Sequence, residues 1–397
     1  MDIVIISEFC DSFSNKDNDR FLYLARKLSQ KHEVELITSS FQHTAKKQRS
    51  QTDYEFDFRL TFISEPGYPR NISFRRFRSH YIWGKNVYKY LKSRKKPDVV
   101  YCAVPSLTGP SLVSEYCRKA GIRFVPDVQD LWPEAFRMII NIPVISSLAF
   151  FPFSVLANRI YRNADDICGV SETYVRRCLL KNKKGAEGKA VYLGTELQEF
   201  DSNVLNNPIT SEKKDGDLWL GYCGTLGASY DLIIVMDALK ILEQKGENKY
   251  TFIVMGDGDR KEEFENYATK NQLNVRFLGR LPYDQMCGWL AACDMAVNPI
   301  AHTSAASIIN KHADYAAAGI PVLNTQESPE YRSLINRYKM GFNCDNDDPR
   351  DMAEKLMLLS ENGQLRKQMG ENARKCAEEL FDRGTTYENL IYTIEKA

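Results

Sequence analysis

Short apolar runs alternate with amphipathic helical stretches along the whole chain of 397 residues. In the first half the runs predicted as buried strands are Ile3–Ser7, Val34–Ser39, Phe58–Ile63, Val99–Ala103, Ile122–Val128, Asp166–Val170 and Lys189–Leu193. The alternation restarts at Leu218 and predicts the helix Tyr230–Leu242 and the strands Tyr250–Met255, Val275–Leu278, Asp294–Pro299 and Ile320–Asn324. Strands that alternate with helices imply crossover connections, and therefore parallel sheets covered on both faces. The pattern predicts an α/β protein with two doubly wound, Rossmann-like halves.

A change of composition separates these halves. Residues 196–217 lose the hydrophobic periodicity and gain Asn, Pro, Lys and Asp, so we interpret them as a linker. The predicted organisation is a domain at 1–195, the linker at 196–217, a second domain at 218–375 and a C-terminal helix at 376–397 that returns to the first domain. Two doubly wound domains are expected to form a cleft that faces the carboxyl ends of both sheets, where such sheets bind ligands.

The composition is that of a globular protein without a strong overall electrostatic field. The net charge is +1, so no global potential favours nucleic acid. The ten cysteines show neither a C-x-x-C pair nor a Cys/His spacing typical of zinc. The segment Met1–Ser7 is already strand-like, so no secretory leader is predicted and the expected compartment is the cytoplasm.

Glycine motifs follow the predicted strands of the second half. In chain order they are Gly-Tyr-Cys-Gly-Thr-Leu-Gly (221–227), Met-Gly-Asp-Gly (255–258), Phe-Leu-Gly-Arg (277–280) and Asn-Lys-His-Ala-Asp-Tyr-Ala-Ala-Ala-Gly-Ile-Pro-Val (310–322). Glycines at strand-to-helix turns let backbone N–H groups approach a phosphate. The predicted phosphate or nucleotide contacts are Gly224, Thr225, Leu226, Gly227, Gly256, Asp257, Gly258, Gly279, Arg280 and Asn310. Ser229 is predicted to cap the helix after the first motif, with Asp231 in its first turn.

These motifs, in this order, resemble the donor domain of the retaining glycosyltransferases of family 4, which have the GT-B fold. The segments 169–172 (Gly-Val-Ser-Glu) and 191–194 (Val-Tyr-Leu-Gly) resemble further markers of that family. The segment 127–134 (Asp-Val-Gln-Asp-Leu-Trp-Pro-Glu) resembles a subgroup that builds bacterial surface polysaccharides. The resemblance implies an acceptor domain at 1–195 and a nucleotide-sugar donor domain at 218–375.

The resemblance also implies an activity. We expect a retaining hexosyltransferase that moves a sugar from a nucleotide sugar to a polyprenyl-linked glycan, in the biosynthesis of capsule, O-antigen or exopolysaccharide. The nucleotide sugar is a substrate, so no cofactor is expected, and the sequence leaves open whether it carries UDP or GDP. The expected location is the cytoplasmic face of the inner membrane.

Lys311 and Asp314 lie one turn apart on one face of the predicted helix that ends at Gly319. Lys311 could supply the cation for the leaving diphosphate, and the alternative is a surface lysine. By resemblance, Asp314 holds the donor ribose, where the family usually has Glu. Asp314 lies on a helix of mostly small, apolar residues such as Ala313 and Ala316. An acid in such surroundings would be costly to bury without a partner, which favours a ligand-binding role for Asp314.

Other candidates are less specific. Asp130, after the fifth strand, is predicted at the reacting centre, unless it caps the following helix. His302 lies in the loop where relatives contact the donor sugar, although a lone loop histidine is more often solvent-exposed. Arg280 could contact diphosphate or base, or form a structural ion pair. The D-x-D pairs at 215–217 and 257–259 lack further acids, so no metal is predicted.

The chain departs from the family at three places. The Arg and Lys that many relatives carry around the first glycine loop correspond to Thr225 and Tyr230. The first acid of the paired-glutamate element falls at Ala306, and the N-terminal glycine-rich loop is replaced by Ser14–Asp19. The second change concerns the donor sugar, and the third concerns the acceptor.

A basic and aromatic segment precedes the fourth strand. Between Arg70 and Lys96 there are ten Lys or Arg and no acid, and Phe74, Phe77 and Tyr81 recur at helical spacing. This composition predicts an interfacial membrane helix, with a core helix that has a solvated basic face as the alternative. The residues predicted to face the membrane or acceptor are Arg75, Arg76, Arg78 and Lys85. The uncharged stretch 138–158 is interrupted by Pro and Ser, so a monotopic patch is expected rather than a membrane span.

Two alternative functions remain open. A sugar-nucleotide 2-epimerase of the same fold would need no lipid acceptor, which would leave the basic segment unexplained. A non-catalytic partner in polysaccharide assembly would bind nucleotide without transferring sugar, and the missing acid at Ala306 favours it.

Overall fold

The structure is a computed structural model that describes residues 1–10, 13, 19–50, 54–71, 73–134, 143–209, 212–302 and 307–396, with the backbone alone for 143–149. The chain divides into two compact units. Unit 1 comprises Met1–Val191 and Tyr387–Ala397, and unit 2 comprises Tyr192–Thr386.

A parallel sheet forms the centre of unit 1. Its strands are β1 (Asp2–Ile6), β2 (Glu33–Ser39), β5 (Arg59–Ile63), β6 (Val99–Val104), β7 (Arg123–Val128), β8 (Asp166–Gly169) and β9 (Glu187–Ala190). Their order is β5-β2-β1-β6-β7-β8-β9, so the winding reverses between β1 and β6. A small hairpin of β3 (Phe41–Gln42) and β4 (Lys47–Gln48) lies outside this sheet.

The helices of unit 1 are α1 (Arg20–Ser29), α2 (Phe74–Ser93), α3 (Thr108–Ala120), α4 (Pro143–Asn163), α5 (Glu172–Leu179) and the C-terminal helix Glu388–Glu395. Side-chain caps fix several of their starts: Asp19 accepts from the amides of Phe21 and Leu22, and Ser73 accepts from the amide of Arg76. In the described part of the chain, no helix combines the length and the apolar character needed to cross a membrane.

Unit 2 contains a second parallel sheet with the order β12-β11-β10-β13-β14-β15. Its strands are β10 (Leu218–Cys223), β11 (Tyr250–Met255), β12 (Val275–Gly279), β13 (Met295–Asn298), β14 (Val322–Asn324) and β15 (Gly341–Asn343). The winding reverses between β10 and β13. Loops that follow these two strands flank a topological switch point, where open α/β sheets bind ligands.

The helices of unit 2 cover both faces of that sheet. They are α6 (Leu197–Asn206), α7 (Leu232–Gln244), α8 (Lys261–Lys270), α9 (Tyr283–Ala291), α10 (Asn310–Ala317), α11 (Pro329–Tyr338), α12 (Pro349–Glu361) and α13 (Gly363–Cys376), followed by a π-helical turn (Ala377–Phe381) and the short helix α14 (Arg383–Thr386). Apolar side chains form one cluster on each face of the sheet, and burial of these clusters stabilises the unit.

The structure differs from the predicted linker and from two predicted helices. The segment 196–217 contains α6, because Leu197 and Phe200 are buried in the core of unit 2. Helix α7 begins at Leu232, and Asp231, rather than Ser229, caps it by accepting from the amide of Ile233. The predicted helix 376–397 is broken into the π-helical turn, α14 and the C-terminal helix.

Candidate functional site

The glycine loop after β10 is bonded on one side to the loop after β11. The amide of Gly224 donates to the carbonyl of Met255 at 3.0 Å, and the amide of Leu226 donates to the carbonyl of Asp257 at 2.9 Å. These bonds place residues 224–227 at the switch point of unit 2. They also use two of the amides that the sequence assigns to phosphate.

Gly256 and Gly258 allow this close packing of the two loops. A Cβ at Gly256 would lie 1.9 Å from the carbonyl oxygen of Gly224, and one at Gly258 would lie 2.4 Å from that of Leu226. Both distances are far inside van der Waals contact with backbone atoms. The second motif therefore supports the first loop, while Asp257 is exposed and accepts from the amide of Gly258.

Other amides of the loop have no partner in the described part of the chain. The N–H groups of Thr225, Gly227, Ala228 and Ser229 donate to none of its atoms. They precede the N-terminus of α7, where the helix dipole favours negative charge. This set of amides could bind an oxyanion.

Lys311 brings a cation to the same loop from the first turn of α10. The residue is 7% exposed, and its Nζ lies 3.8 Å from the ring centre of Tyr230 and 4.1 Å from that of Tyr222. A Cβ at Gly224 would lie 2.8 Å from Nζ, so the missing side chain makes room for the amine. Nζ has no hydrogen-bond partner among the described residues, and burial lowers the pKa of Lys311 to about 7. A buried amine that lacks a partner beside unpaired amides indicates a site for an anion.

Asp314 is buried one turn further along α10. Its Oδ1 accepts from the hydroxyl of Tyr283 at 3.0 Å, and this hydroxyl is also bonded to Thr195 Oγ1 at 2.5 Å. Burial raises the pKa of Asp314 to about 6, although the bond from Tyr283 and the charges of Arg383 and Lys311 oppose this. Oδ2 accepts no hydrogen bond from the residues that the structure describes. One carboxylate oxygen thus holds the fold, and the other is left for a ligand.

A buried polar network that the sequence analysis missed fixes the start of α10. His312 Nδ1 accepts from the amide of Ile309 at 3.3 Å, and its Nε2 lies 3.2 Å from the amide nitrogen of Asn298 at the end of β13. The imidazole stacks on Tyr331 with a centroid distance of 3.4 Å, and burial lowers the pKa of His312 well below its usual value. The neutral ring anchors the turn that carries Lys311. A histidine next to Lys311 in a helix of small residues was the available signal.

The remaining predicted contacts of unit 2 lie at the surface. Gly279 has a φ of +72°, which favours glycine, and Arg280 after it is exposed. Asn310 is exposed at the start of α10. His302 is 64% exposed and its Nδ1 lies 3.1 Å from Glu327 Oε1. Ala306 falls outside the described residues.

Asp130 lies in unit 1, directly after β7. Its Oδ2 accepts from the indole N–H of Trp132 at 3.1 Å. Burial raises the pKa of Asp130, while this bond and the charge of Arg76 act in the opposite direction. Its assignment to the reacting centre stays a prediction.

The four basic residues predicted to face a membrane do not share one environment. Arg75, Arg78 and Lys85 are exposed on α2, as are Phe74 and Tyr81, at 94% and 51%. Arg76 is half-buried instead, because it points along the face of α2 that carries the buried residues His80 and Trp83. Arg76 therefore does not share the exposed surface of the other three residues, and the assignment of all four to the membrane or the acceptor stays a prediction.

The described residues contain no group of three or more His, Cys, Asp or Glu side chains that could hold a metal ion. Asp257 and Asp259 of the D-x-D pair in unit 2 are both exposed. Of the acids at 14–19, only Asp19 lies within the described residues, and it caps α1.

Comparison with protein families assigns this part of the chain. Residues 206–376 match the family described as "Glycosyl transferases group 1". This segment lies within unit 2 and includes the glycine loop, Lys311 and Asp314. This part of the chain is thus similar to the group 1 glycosyltransferases.

Curated relatives are similar at low identity. The chain is 25% identical over 212 residues to "Uncharacterized glycosyltransferase MJ1178" of Methanocaldococcus jannaschii, and the match covers 52% of this chain and 56% of that protein. It is 24% identical over 252 residues to "Probable glycosyltransferase WbjE" of Pseudomonas aeruginosa, and this match covers 61% and 60%. The chain thus spans less than two thirds of the length of these relatives. Both names are those of glycosyltransferases, so neither alternative function is favoured.

Solved structures match over the full length. HepE of Anabaena in complex with UDP has a TM-score of 0.71 at 17% identity, and the match covers 100% of both chains. WaaG, "a glycosyltransferase involved in lipopolysaccharide biosynthesis", has a TM-score of 0.71 at 15% identity, again over 100% of both chains. At these identities the likeness shows the fold, and the predicted GT-B class is confirmed.

Proposed function

We propose that this protein is a retaining glycosyltransferase that binds a nucleotide sugar in unit 2 and transfers the sugar to a lipid-linked glycan. The observation that carries the proposal is the amine of Lys311, which is buried beside the glycine loop without a hydrogen-bond partner among the described residues. A buried cation without a partner is costly unless an anion joins it. The diphosphate of a nucleotide sugar is such an anion.

The donor class is supported by the solved neighbours. HepE has been solved with UDP and with UDP-glucose, and its chain covers the whole of this one. The Oδ2 oxygen of Asp314 would accept from a ribose hydroxyl, while Arg280 and Asn310 are exposed for contact with the base or the diphosphate. The choice between UDP and GDP is left to experiment.

The proposed reaction needs stabilisation of charge more than a protein nucleophile. The bond between the anomeric carbon and the diphosphate breaks, and its electron pair goes to the diphosphate oxygen. The acceptor hydroxyl forms the new bond on the same face and gives its proton to the departing diphosphate. Lys311 and the unpaired amides of Thr225 and Gly227 would stabilise the growing negative charge, and this stabilisation would lower the barrier without a metal ion.

The acceptor and the location are proposed from α2 and from the relatives. Phe74 and Tyr81 are exposed next to Arg75, Arg78 and Lys85, an arrangement that suits the surface of an anionic membrane. WbjE is named a probable glycosyltransferase, and WaaG is a glycosyltransferase involved in lipopolysaccharide biosynthesis. These similarities support the proposal that the protein acts at the cytoplasmic membrane surface, in the synthesis of a surface polysaccharide on a polyprenyl-linked carrier.

A labelling experiment tests this function. Membranes from cells that lack the gene are incubated with purified protein and a panel of nucleotide sugars labelled in the sugar. We expect one donor to pass its label into the fraction that organic solvent extracts, and the anomeric coupling constant of the product to match that of the donor. Label that appears only in free sugar or in an epimerised nucleotide sugar would contradict the proposal.

A further inference from the structure

The guanidinium of Arg76 lies among aromatic rings in unit 1. Its carbon atom Cζ is 5.0 Å from the ring centre of Trp132, 5.7 Å from that of Tyr68 and 5.9 Å from that of Phe9. Contacts of this kind hold the faces of the planar group and leave its edge for hydrogen bonds. The orientation of the edge is therefore fixed by the fold.

Few of the donors on that edge are used. Nη1 donates to the carbonyl of Asn71 at 3.1 Å, and Nε donates to His80 Nε2 at 3.4 Å. His80 can accept because burial and the charges of Arg76 and His43 lower its pKa to about 3, so the ring is neutral. Nη2 makes no hydrogen bond to the described residues.

Carboxylates do not neutralise this arginine. None of those described lies within 4.0 Å of it. The carboxyl groups of Glu8 and Asp130 interact with Arg76 from further away, and burial raises the pKa of both. Glu8 also accepts a hydrogen bond from the hydroxyl of Ser106. The half-buried guanidinium of Arg76 is thus in contact with no carboxylate of the described residues.

A second cation lies against the same aromatic ring. Lys46 Nζ is 5.0 Å from the ring centre of Tyr68 and donates to Asn71 Oδ1 at 2.5 Å, so Lys46 and Arg76 share both Tyr68 and Asn71 as neighbours. His43 Nδ1 is bonded to the hydroxyl of Tyr68 at 2.5 Å. An anion bound beside this ring would be attracted by both cations.

The position of these groups matches a ligand site in the sheet. Phe9 follows β1, Lys46 lies in the hairpin after β2, Tyr68 follows β5 and Trp132 follows β7. Since these strands are parallel, the loops meet at the carboxyl edge of the sheet, near the reversal between β1 and β6. We infer that Arg76 and Lys46 form an oxyanion site in unit 1 that binds a phosphate group.

The proposed function gives this site a substrate, and the identification of that substrate rests on it. A lipid-linked acceptor carries a diphosphate, and the fork of Arg76 is suited to two oxygens of such a group. Free phosphate has the same chemistry. The two sources are separated by titrating inorganic pyrophosphate and farnesyl diphosphate in parallel.

The test is calorimetric titration of the full-length protein with each probe. Arg76→Ala removes the fork, Arg76→Lys keeps the charge without the fork, and Arg176→Ala is the matched control, because Arg176 is an exposed arginine of the same unit outside the basic segment. Loss of a charge-assisted contact is expected to weaken binding about ten- to a hundred-fold in Arg76→Ala. Arg76→Lys should recover part of this loss, and Arg176→Ala should bind like the wild type.

Each outcome decides the inference. If Arg76→Ala loses equal affinity for both probes, the ligand is the anion itself. If it loses affinity for farnesyl diphosphate alone, the ligand is a lipid-borne phosphate. Binding by Arg76→Ala as tight as by Arg176→Ala, with both probes, overturns the site. Thermal melts must show that the variants are folded, and Arg76→Gln replaces Arg76→Ala if the latter is not. Any pyrophosphate that binds at Lys311 gives the same heat in all variants, so it does not affect their comparison.

The same proteins separate this inference from the proposed function. Arg76→Ala should bind nucleotide sugars as the wild type does, since Arg76 belongs to unit 1 and the donor site to unit 2. If neither the wild type nor any variant binds a nucleotide sugar, while binding of the diphosphate probes still depends on Arg76, the proposed function fails and the oxyanion site stands.

Discussion

Replacement of Lys311 by methionine should make the fold more stable and the reaction slower. Methionine keeps the length of the side chain and its contact with Tyr222 and Tyr230 but removes the charge. In the wild type, burial lowers the pKa of Lys311 from 10.5 to about 7. This difference corresponds to about 5 kcal/mol for carrying the charged amine inside the fold.

The aromatic faces offset part of that cost. A desolvated cation over an aromatic ring gains about 2 kcal/mol or more, so we expect Lys311→Met to raise the free energy of unfolding at pH 7 by about 1–3 kcal/mol. Because the folded protein releases the proton near pH 7 and the unfolded chain near 10.5, the unfolded state binds more protons in that window. Wild-type stability should therefore rise with pH across this range, and the contribution of Lys311 to that rise should be absent in Lys311→Met.

The effect on the reaction should have the opposite sign. Loss of the charge-assisted contact to the leaving diphosphate, about 1.5–3 kcal/mol, should lower kcat about ten- to a hundred-fold, with a smaller change in donor affinity. The wild-type kcat/KM should fall as pH rises through about 7, since the protonated amine is the active form.

The assay combines urea unfolding at several pH values with release of nucleoside diphosphate from the identified donor. Lys270→Met is the matched control, because Lys270 is an exposed lysine of the same unit. A variant that is no more stable than the wild type at pH 7, or one that turns over donor at the wild-type rate, would refute the reasoning.

Further predictions concern the donor site, the metal and the membrane. Asp314→Ala should raise KM for the donor more than it lowers kcat, and Asp314→Glu should retain donor affinity. The donor affinity of the wild type should fall below about pH 6, where the carboxylate of Asp314 takes up a proton. Equal effects of Asp314→Ala on kcat and KM would refute the assignment of Asp314 to the ribose. Gly256→Ala should lower the free energy of unfolding by about 1–3 kcal/mol in urea melts and weaken donor binding, because its Cβ meets the carbonyl of Gly224, whereas Gly363→Ala, at an open helix start, should do neither. Transfer should survive excess EDTA, and rescue of a chelated enzyme by Mg²⁺ or Mn²⁺ would count against a metal-free site. Reversing the exposed charges of Arg75, Arg78 and Lys85 should release the protein from phosphatidylglycerol vesicles in co-sedimentation, since each contributes roughly 1 kcal/mol to membrane binding. Unchanged sedimentation would locate the membrane anchor elsewhere.

Most strands were predictable because they contain a continuous apolar run, whereas β9 (Glu187–Ala190) is polar and starts two residues before the predicted Lys189–Leu193. The predicted Tyr250–Met255 has the observed bounds, and Val34–Ser39 differs from β2 by one residue. By contrast, β15 is the three-residue segment Gly341–Asn343, which is too short for a pattern, and α6 buries only a few apolar residues of its own. Elements that depend on their neighbours for burial leave little trace in the local sequence.

Of the candidate donor site, the sequence predicted the helix that carries Lys311 and Asp314, because their spacing places both on one helix face. The contacts of Lys311 with Tyr222 and Tyr230 join residues that are far apart in the chain, and no sequence periodicity indicates such contacts. The sequence also grouped Arg76 with its exposed neighbours. Its spacing of four and seven residues from His80 and Trp83 placed it on the buried face, and this was the signal that could have separated it.

Binding of a nucleotide sugar by unit 2, at the glycine loop and Lys311, can be measured without knowing the acceptor. Saturation-transfer NMR of the wild type against a panel of UDP- and GDP-linked sugars tests this binding. We predict saturation of the ribose and base protons of one donor, loss of this signal on addition of the matching free nucleoside diphosphate, and a weaker signal for folded Asp314→Ala. Absence of saturation for every nucleotide sugar with folded protein, or an equal signal from Asp314→Ala, would contradict the assignment of the donor site to unit 2.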